Sequence, residues 1–459
     1  MDFIGVPIPI KNKPELDSGF IPLSLFFIEH QKRAATPFAI AVERTGGNIT
    51  VYDTFVIGSE ERFAADVYYL DRLVKFLLWS RGGFRVFLCG DNQLGAAVAA
   101  AYSPDGARAF DFNFMQRVYG QAFEVILCNH NEKPKETESS KAVGRHMDGC
   151  RIGFDAGGSD RKVSAVINGE MVYSEEVVWF PKEQSDPRYH YEGIVGAFKT
   201  AASKMPRVDG IGISSAGVYV DNKCRAASLF IKVSERDFRE QVEDIYIRAA
   251  KEIGDVPVTV ANDGDVTALA GAMSIEANGI LGIAMGTSEA VGYVNENGNI
   301  TGWLNELAFA PVDGQSDAMC DEWSGDIGCG VKYFSQDGII KLAEAAGIVL
   351  IGSSQAEKLK EVQALIDEND ERALAIFRSV GVYLGHTLSL YSMFYDINHV
   401  IVLGRVTSGR GGDILLEEAK RVLREEYPKL TFNVDAPDEK MRRVGQSVAA
   451  ASLPELQRE

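Results

Sequence analysis

Twice in this chain a short run of strand-forming residues enters a turn with almost no side chains and returns as a second strand. The first run is Arg151-Ile152-Gly153-Phe154-Asp155, turning through Ala156-Gly157-Gly158-Ser159 into KVSAVIN at 162–168. The second runs from Gly279 through Ala284-Met285-Gly286-Thr287-Ser288 into Ala290-Val291-Gly292-Tyr293-Val294. Alternating helices and strands follow each hairpin. After the first come a helix at about 191–204, strand 210–214, a helix at about 235–253 and strand 256–260. After the second comes a long helix at about 371–394, then strand 400–403 ending at Gly404. Two hairpins with small-residue turns, each feeding helix–strand alternation, predict a two-lobed α/β plan built from a structural repeat.

That plan does not use the whole chain of 459 residues. Residues 129–150, NHNEKPKETESSKAVGRHMDGC, are polar, contain Pro134 and a mixed charge run, and read as a linker. Residues 1–128 form a separate α/β block. There Phe38–Val42 and Ile49–Tyr52 flank Gly46-Gly47-Asn48 as a hairpin, 62–80 carries apolar residues at helical spacing, and 84–88 and 123–128 read as strands. The expected division is 1–128, a linker at 129–149, a first lobe of 150–262 plus about 436–459, and a second lobe of 263–435.

Charge and cysteine content narrow the function. Lys plus Arg number 47 and Asp plus Glu 65, a formal charge of −18, which repels a phosphate backbone and argues against nucleic acid as a partner. No apolar run approaches the roughly 18 residues of a membrane span, and Met1-Asp2-Phe3-Ile4-Gly5-Val6-Pro7 lacks the basic start of a signal peptide. Six cysteines without a CxxC pair make no disulfide framework. A cytoplasmic protein with reduced thiols is expected.

Two places can carry chemistry. In Asp155-Ala156-Gly157-Gly158-Ser159 a strand ends in a carboxylate, and the turn after it leaves backbone N–H groups open to phosphate oxygens. Asp155 can hold Mg²⁺ through water; a plain hairpin turn is the alternative. Gly286 and Thr287 offer the same surface from the second hairpin. Asn262-Asp263-Gly264-Asp265 follows strand 256–260, at the carboxyl end where α/β folds place ligands. Asp263 can accept a hydroxyl proton there, or the pair can simply cap a helix.

With these residues in hand, IGFDAGGSDRKVSAVINGE resembles the first phosphate hairpin of the sugar-kinase, Hsp70 and actin superfamily, and 150–455 is most similar to the ROK family of sugar kinases and sugar-responsive repressors. The resemblance rests on the Asp155 hairpin, Asn262-Asp263, Gly286-Thr287, Asn305-Glu306-Leu307 with Cys329 downstream, and the long helix leading into IVLGRVTSG at 401–409; GQSVAAASLP at 445–454 is similar to the family's closing helix. It implies a two-lobed actin-like ATPase (ribonuclease H-like) fold with an added N-terminal α/β domain. It implies ATP and Mg²⁺, with Asp263 as general base for a sugar hydroxyl. Gly157, Gly158 and Ser159 would face the phosphates, Asp155 would hold Mg²⁺, Gly286 and Thr287 would grip phosphate, Gly404 would open the backbone beside adenosine, and Asn262 and Glu306 would bind sugar. It also implies a homo-oligomer.

The departures are as informative. Phe309 stands where the family usually carries a His that binds sugar and zinc, and Ser324 replaces a usual cysteine. Cys320 and Cys329 alone do not close a tetrahedral zinc site, so zinc is not expected. Glu289 follows the second phosphate turn, where a carboxylate repels phosphate unless it points away, and Arg405 stands where a second glycine is usual beside the adenosine. The segment 226–234 lacks the family's sugar-binding Asn. A sugar kinase for a hexose or N-acetylhexosamine is the leading expectation. A catalytically silent sugar-binding or regulatory protein is the alternative. A repressor is disfavoured because 1–128 shows no basic winged helix-turn-helix. The segment 180–191, FPKEQSDPRYHY, reads as a lid or a loop, His386 as a core residue, and 1–128 as a packing or oligomerisation element, or a decayed third copy of the hairpin lobe.

Overall fold

The structure, a computed structural model, describes residues 1–138, 143–437 and 445–456. Parts of the expected linker and of the C-terminal segment of the first lobe (139–142, 438–444 and 457–459) lie outside the described residues.

The N-terminal unit begins with helix α1 (Leu23–Gln31) and the hairpin β1 (Thr36–Glu43) and β2 (Ile49–Val56). Helix α2 (Phe63–Arg81), strand β3 (Arg85–Cys89), helices α3 (Asn92–Ala101) and α4 (Ala109–Tyr119) and strand β4 (Glu124–Cys128) complete it. Its sheet order is β2-β1-β3-β4. Strand β3 runs antiparallel to β1. In the two lobes the strand after the hairpin and helix is parallel to the first, so the N-terminal unit is not a third copy of that lobe.

The first lobe opens with β5 (Cys150–Ala156), fully buried, then β6 (Asp160–Ile167) and β7 (Glu170–Val178). The hairpin therefore continues into a third antiparallel strand. Helix α5 (Pro187–Ala202) leads to β8 (Gly210–Ser215), a small hairpin of β9 (Val218–Val220) and β10 (Lys223–Ala226), helix α6 (Ile245–Lys251) and β11 (Val258–Asn262). The sheet runs β11-β8-β5-β6-β7, with β5, β8 and β11 parallel. This register sets Asp155 beside Ser214, and Ser214 beside Ala261, so the carboxyl ends of the three strands open on one edge.

Helix α7 (Asp263–Ile275) enters the second lobe, whose hairpin is β12 (Ile280–Met285) and β13 (Glu289–Val294). Helices α8 (Gln336–Ala345), α9 (Gln355–Asp367) and α10 (Glu371–Tyr391), strand β14 (His399–Leu403), helix α11 (Gly409–Glu426) and strand β15 (Asn433–Asp435) follow. The sheet order is β13-β12-β14-β15, with β12, β14 and β15 parallel. Helix α12 (Gln446–Ala451) returns to the first lobe. It packs so tightly on β5 and β8 that a Cβ on Gly153 would fall 1.6 Å from Ser447 O, and one on Gly212 1.7 Å from Ala450 O.

The core explains helix α10. By length and hydropathy it could cross a bilayer, yet almost all of it is buried inside the protein. Gly381 and Gly385 let α11 approach, as a Cβ there would lie 2.5 Å from Leu415 O and 2.6 Å from Val422 Cβ. Tyr383, Tyr391, Phe394 and Tyr395 are core. His386 is buried too, with Nδ1 against Tyr427 Oη at 2.6 Å and Nε2 against Asn12 O at 2.8 Å. One hydrophobic core runs without a break from the N-terminal unit into the second lobe, while the first lobe keeps its own.

Candidate functional site

The candidate site gathers around Asn262 and Asp263, where the last strand of the first lobe runs into α7. On the first lobe, Asp155 ends its strand nearly buried and accepts from Ser214 Oγ at 2.8 Å. Burial pushes its carboxyl up to about 6, against the Ser214 bond and with the help of the Asp263 charge. Gly157 O accepts from Trp179 Nε1 at 2.8 Å and Ser159 O from Trp179 N at 3.1 Å, so the hairpin tip is held from beneath. Gly158 and Ser159 are exposed at that tip. A Cβ on Gly157 would fall 2.7 Å from Asp160 O, so the turn tolerates no larger residue there.

Asn262 and Asp263 join the lobes. Asn262 is the N-cap of α7, its Oδ1 accepting from Gly264 N at 2.7 Å. The same side chain donates from Nδ2 to Gly217 O at 2.8 Å and toward Glu306 Oε1 at 3.4 Å. The capping role and the cleft-facing role therefore coexist. Asp263 is the first residue of α7 and half-buried. Burial raises its pKa, opposed by the Gly264 N–H, its own N–H and the charge of Lys182.

Glu306 is half-buried and pushed up to about 8, by burial first and then by Asp263 and Asp265. Asp265, buried, accepts from Tyr293 N at 3.0 Å and Asn305 Nδ2 at 2.9 Å, and burial raises it to about 7. The Asp263 charge acts on both Asp155 and Glu306. Asp263 is thus within electrostatic reach of both groups of candidate ligands.

On the second lobe, Gly286 and Gly404 emerge side by side. Val406 N donates to Met285 O at 3.1 Å, and Gly404, at φ +110°, leaves no room for a Cβ, which would lie 2.2 Å from Met285 O. Thr287 is exposed at the hairpin tip. Glu289 turns inward: it is buried, Tyr391 Oη donates to its Oε1 at 3.4 Å, and burial pushes its pKa up to about 8. Its carboxyl is thus turned into the second-lobe core, away from the exposed Thr287 tip. The Arg405 side chain is exposed and forms no ion pair among the described residues.

Sequence reasoning missed three features. Lys182 lies over the first hairpin, because 180–191 is neither a free lid nor a plain loop; it is a short turn at Pro181–Glu183 and the start of α5. The N-terminal unit also reaches the site. Carbonyls of Trp79, Ser80 and Arg81, at the end of α2, accept the N–H groups of Glu306, Asn305 and Leu304 at 2.9, 3.0 and 3.3 Å. Finally, the loop containing Ser324, Cys320 and Cys329 is tied to that unit: Lys75 Nζ lies 3.0 Å and Arg108 Nη1 2.8 Å from the Asp326 carboxylate. Phe309 packs between Trp79 and Trp323, with ring centroids at 4.8 and 4.7 Å. Ser324 folds onto Asp321, its N and Oγ donating to Oδ2 at 2.7 and 2.6 Å.

A model of the ROK family matches residues 151–440. Comparison with the curated proteins returns no match. Among solved structures, the ROK hexokinase of Thermus thermophilus is 18% identical over 66% of this chain and 97% of its own, with a TM-score of 0.52. A ROK family glucokinase from Streptomyces griseus, in complex with glucose and AMPPNP, is 20% identical over 66% of this chain and 99% of its own, with a TM-score of 0.48. A ROK family transcriptional regulator, a homologue of the E. coli MLC protein, is 15% identical over 67% of this chain and 79% of its own, with a TM-score of 0.49. At such identities the likeness is one of fold: two lobes of the actin-like ATPase type. The N-terminal unit lies outside the family match.

Proposed function

The chain belongs to the ROK family, and on that premise we propose that it is a sugar kinase, transferring the γ-phosphate of ATP to a hydroxyl of a hexose or N-acetylhexosamine. The observation that carries this reading is Asp263, half-buried at the start of α7 beside Asn262, with its charge acting both on Asp155 at the first hairpin and on Glu306, which Asn262 contacts. A carboxyl whose pKa burial raises is a stronger base than one in water, while the N-terminus of α7 keeps it ionisable.

In this reading Asn262 and Glu306 orient the sugar so that one hydroxyl meets Asp263. Asp263 takes its proton as the oxygen attacks the γ-phosphate. Gly157, Gly158 and Ser159 present backbone N–H groups to the phosphates from one lobe, Gly286 and Thr287 from the other, and Gly404 leaves the backbone open beside the nucleoside. Asp155, nearly buried with one oxygen engaged by Ser214, suits a water-bridged Mg²⁺, which supplies charge neutralisation on the phosphates. Closure of the lobes excludes water, so that the sugar outcompetes it.

The silent sugar-binding alternative draws on Glu289, Arg405 and Phe309. Glu289 is buried and points inward, and Arg405 faces solvent; both favour the kinase. Small-molecule substrates, a cytoplasmic setting and a homo-oligomer belong to the same proposal. Calorimetric titration with Mg-ATP, alone and with a panel of hexoses and N-acetylhexosamines, tests it. Binding of nucleotide strengthened by one sugar is expected; no nucleotide binding at millimolar concentration contradicts it.

A further inference from the structure

The first phosphate hairpin is crowded with negative charge. Asp155 and Asp160 flank its turn, and the charges of Asp263 and Asp160 both push the Asp155 carboxyl up. A nucleotide bringing several more negative charges needs a cation close to its terminal phosphate. Lys162, opposite Asp155 in the β5–β6 register, is shared with carboxylates, its Nζ lying 3.9 Å from Asp160 and 3.6 Å from Glu176.

Lys182 is different. Its Cε and Nζ lie 3.2 and 3.4 Å from where a Cβ on Gly158 would sit, so the ammonium hangs directly over the tip of the hairpin. It is exposed, and no carboxylate pairs with it among the described residues. Its charge nevertheless acts on Asp263. The turn that bears it is fixed on both sides. Trp179 is tied to Gly157 and Ser159, and buried His190 of α5 lies with Nε2 3.0 Å from Pro181 O. A lysine on a pinned turn, unpaired among the described residues in a chain of charge −18 and held over the tip of the phosphate turn, has the geometry of a phosphate ligand.

We propose that Lys182 is a further catalytic residue of the transfer, its ammonium binding the γ-phosphate oxygens as charge builds on them. This rests on the kinase reading above. The lysine keeps its proton throughout; the proton of the sugar hydroxyl goes to Asp263, the bond from the γ-phosphorus to the bridging oxygen breaks, and ADP leaves with that electron pair. Fixed positive charge at the transferring group contributes on the order of 10²-fold in rate when removed from comparable sites.

The test compares the wild type with Lys182→Met, which keeps the stem and removes the charge, and Lys182→Arg, which keeps the charge. Phosphoryl transfer is measured with saturating sugar, and Mg-ATP and AMP binding by calorimetry. The expected result is a drop in kcat of about 100-fold for the Met variant, weaker Mg-ATP binding, unchanged AMP and sugar binding, and substantial rescue by Arg. A Met variant within twofold of wild type in both kcat and Mg-ATP affinity overturns the role of Lys182 while leaving the kinase reading intact. A wild type that neither transfers phosphate nor binds Mg-ATP overturns both.

Discussion

Asn262 donates from Nδ2 toward Oε1 of Glu306 at 3.4 Å, across the line where the last strand of the first lobe meets the second. Forty-four positions separate the two residues. The contact joins a helix cap to the residue proposed to bind sugar, because Oδ1 of the same side chain holds Gly264 N.

That double role predicts divergent effects of two substitutions. Asn262→Ala removes all three side-chain bonds, to Gly264 N, Gly217 O and Glu306, and costs about 1 kcal/mol of stability through the lost cap. Asn262→Asp keeps a competent cap but sets a carboxylate against Glu306. Thermal denaturation should therefore distinguish the variants, with Ala the less stable near pH 6. Sugar titration should not, both losing at least about tenfold in affinity, roughly the 1.4 kcal/mol of a broken polar contact. An Asp variant with full sugar affinity would remove Asn262 from the sugar site.

Glu289 predicts a pH effect on stability. Its carboxyl is buried, one oxygen has no partner, and its pKa in the fold is about 8 against an ordinary 4.5. A raised folded pKa means that the protonated form stabilises the fold. That contribution is complete below about pH 4.5 and is lost as pH rises toward 8. Glu289→Gln, uncharged at every pH, should raise the melting temperature at pH 8 by an amount worth a few kcal/mol at most, on the order of 1.4 per pKa unit. It should leave stability near pH 4 almost unchanged. Equal shifts at both pH values would mean that Glu289 ionises freely in the fold.

How much of this was legible in the sequence depends on the range of the interaction. The hairpin at Asp155–Ser159 announces itself because glycine and a strand-ending carboxylate are local features, and the parallel strands after it follow from helix–strand alternation. The inward turn of Glu289 does not, because it is decided by contacts with Tyr391 and Gly330, residues far along the chain. Lys182 carries no motif; it reaches the hairpin only because Trp179 bonds Gly157 and the buried His190 holds Pro181. The antiparallel β3 also escapes pattern reading, since hydrophobic periodicity carries no strand direction. Least legible of all was the union of α2 with residues 304–306, a pairing of backbone groups that no side-chain pattern encodes.

That union yields a further prediction. Lys75 is buried between Asp111, at 3.1 Å, and Asp326, at 3.0 Å. Lys75→Met takes one partner from each carboxylate, Asp111 keeping Trp79 Nε1 and Asp326 keeping Arg72 and Arg108, and should cost about 3 kcal/mol. Because the same helix holds the backbone of Glu306, folded Lys75→Met protein should bind sugar more weakly and bind nucleotide as before. Denaturant unfolding with paired titrations checks this. Loss of nucleotide binding alone would place the N-terminal unit on the other side of the cleft.

In the proposed reaction Asp263 accepts the hydroxyl proton during phosphoryl transfer to a sugar. The most direct measurement follows transfer from Mg-ATP to the sugar that calorimetry selects, using wild type and Asp263→Asn. The asparagine is isosteric and cannot accept that proton. Turnover should fall by at least about 100-fold, the usual contribution of a general base, with melting temperature and sugar affinity retained. Sugar phosphorylation at the wild-type rate by Asp263→Asn would rule out Asp263 as the base.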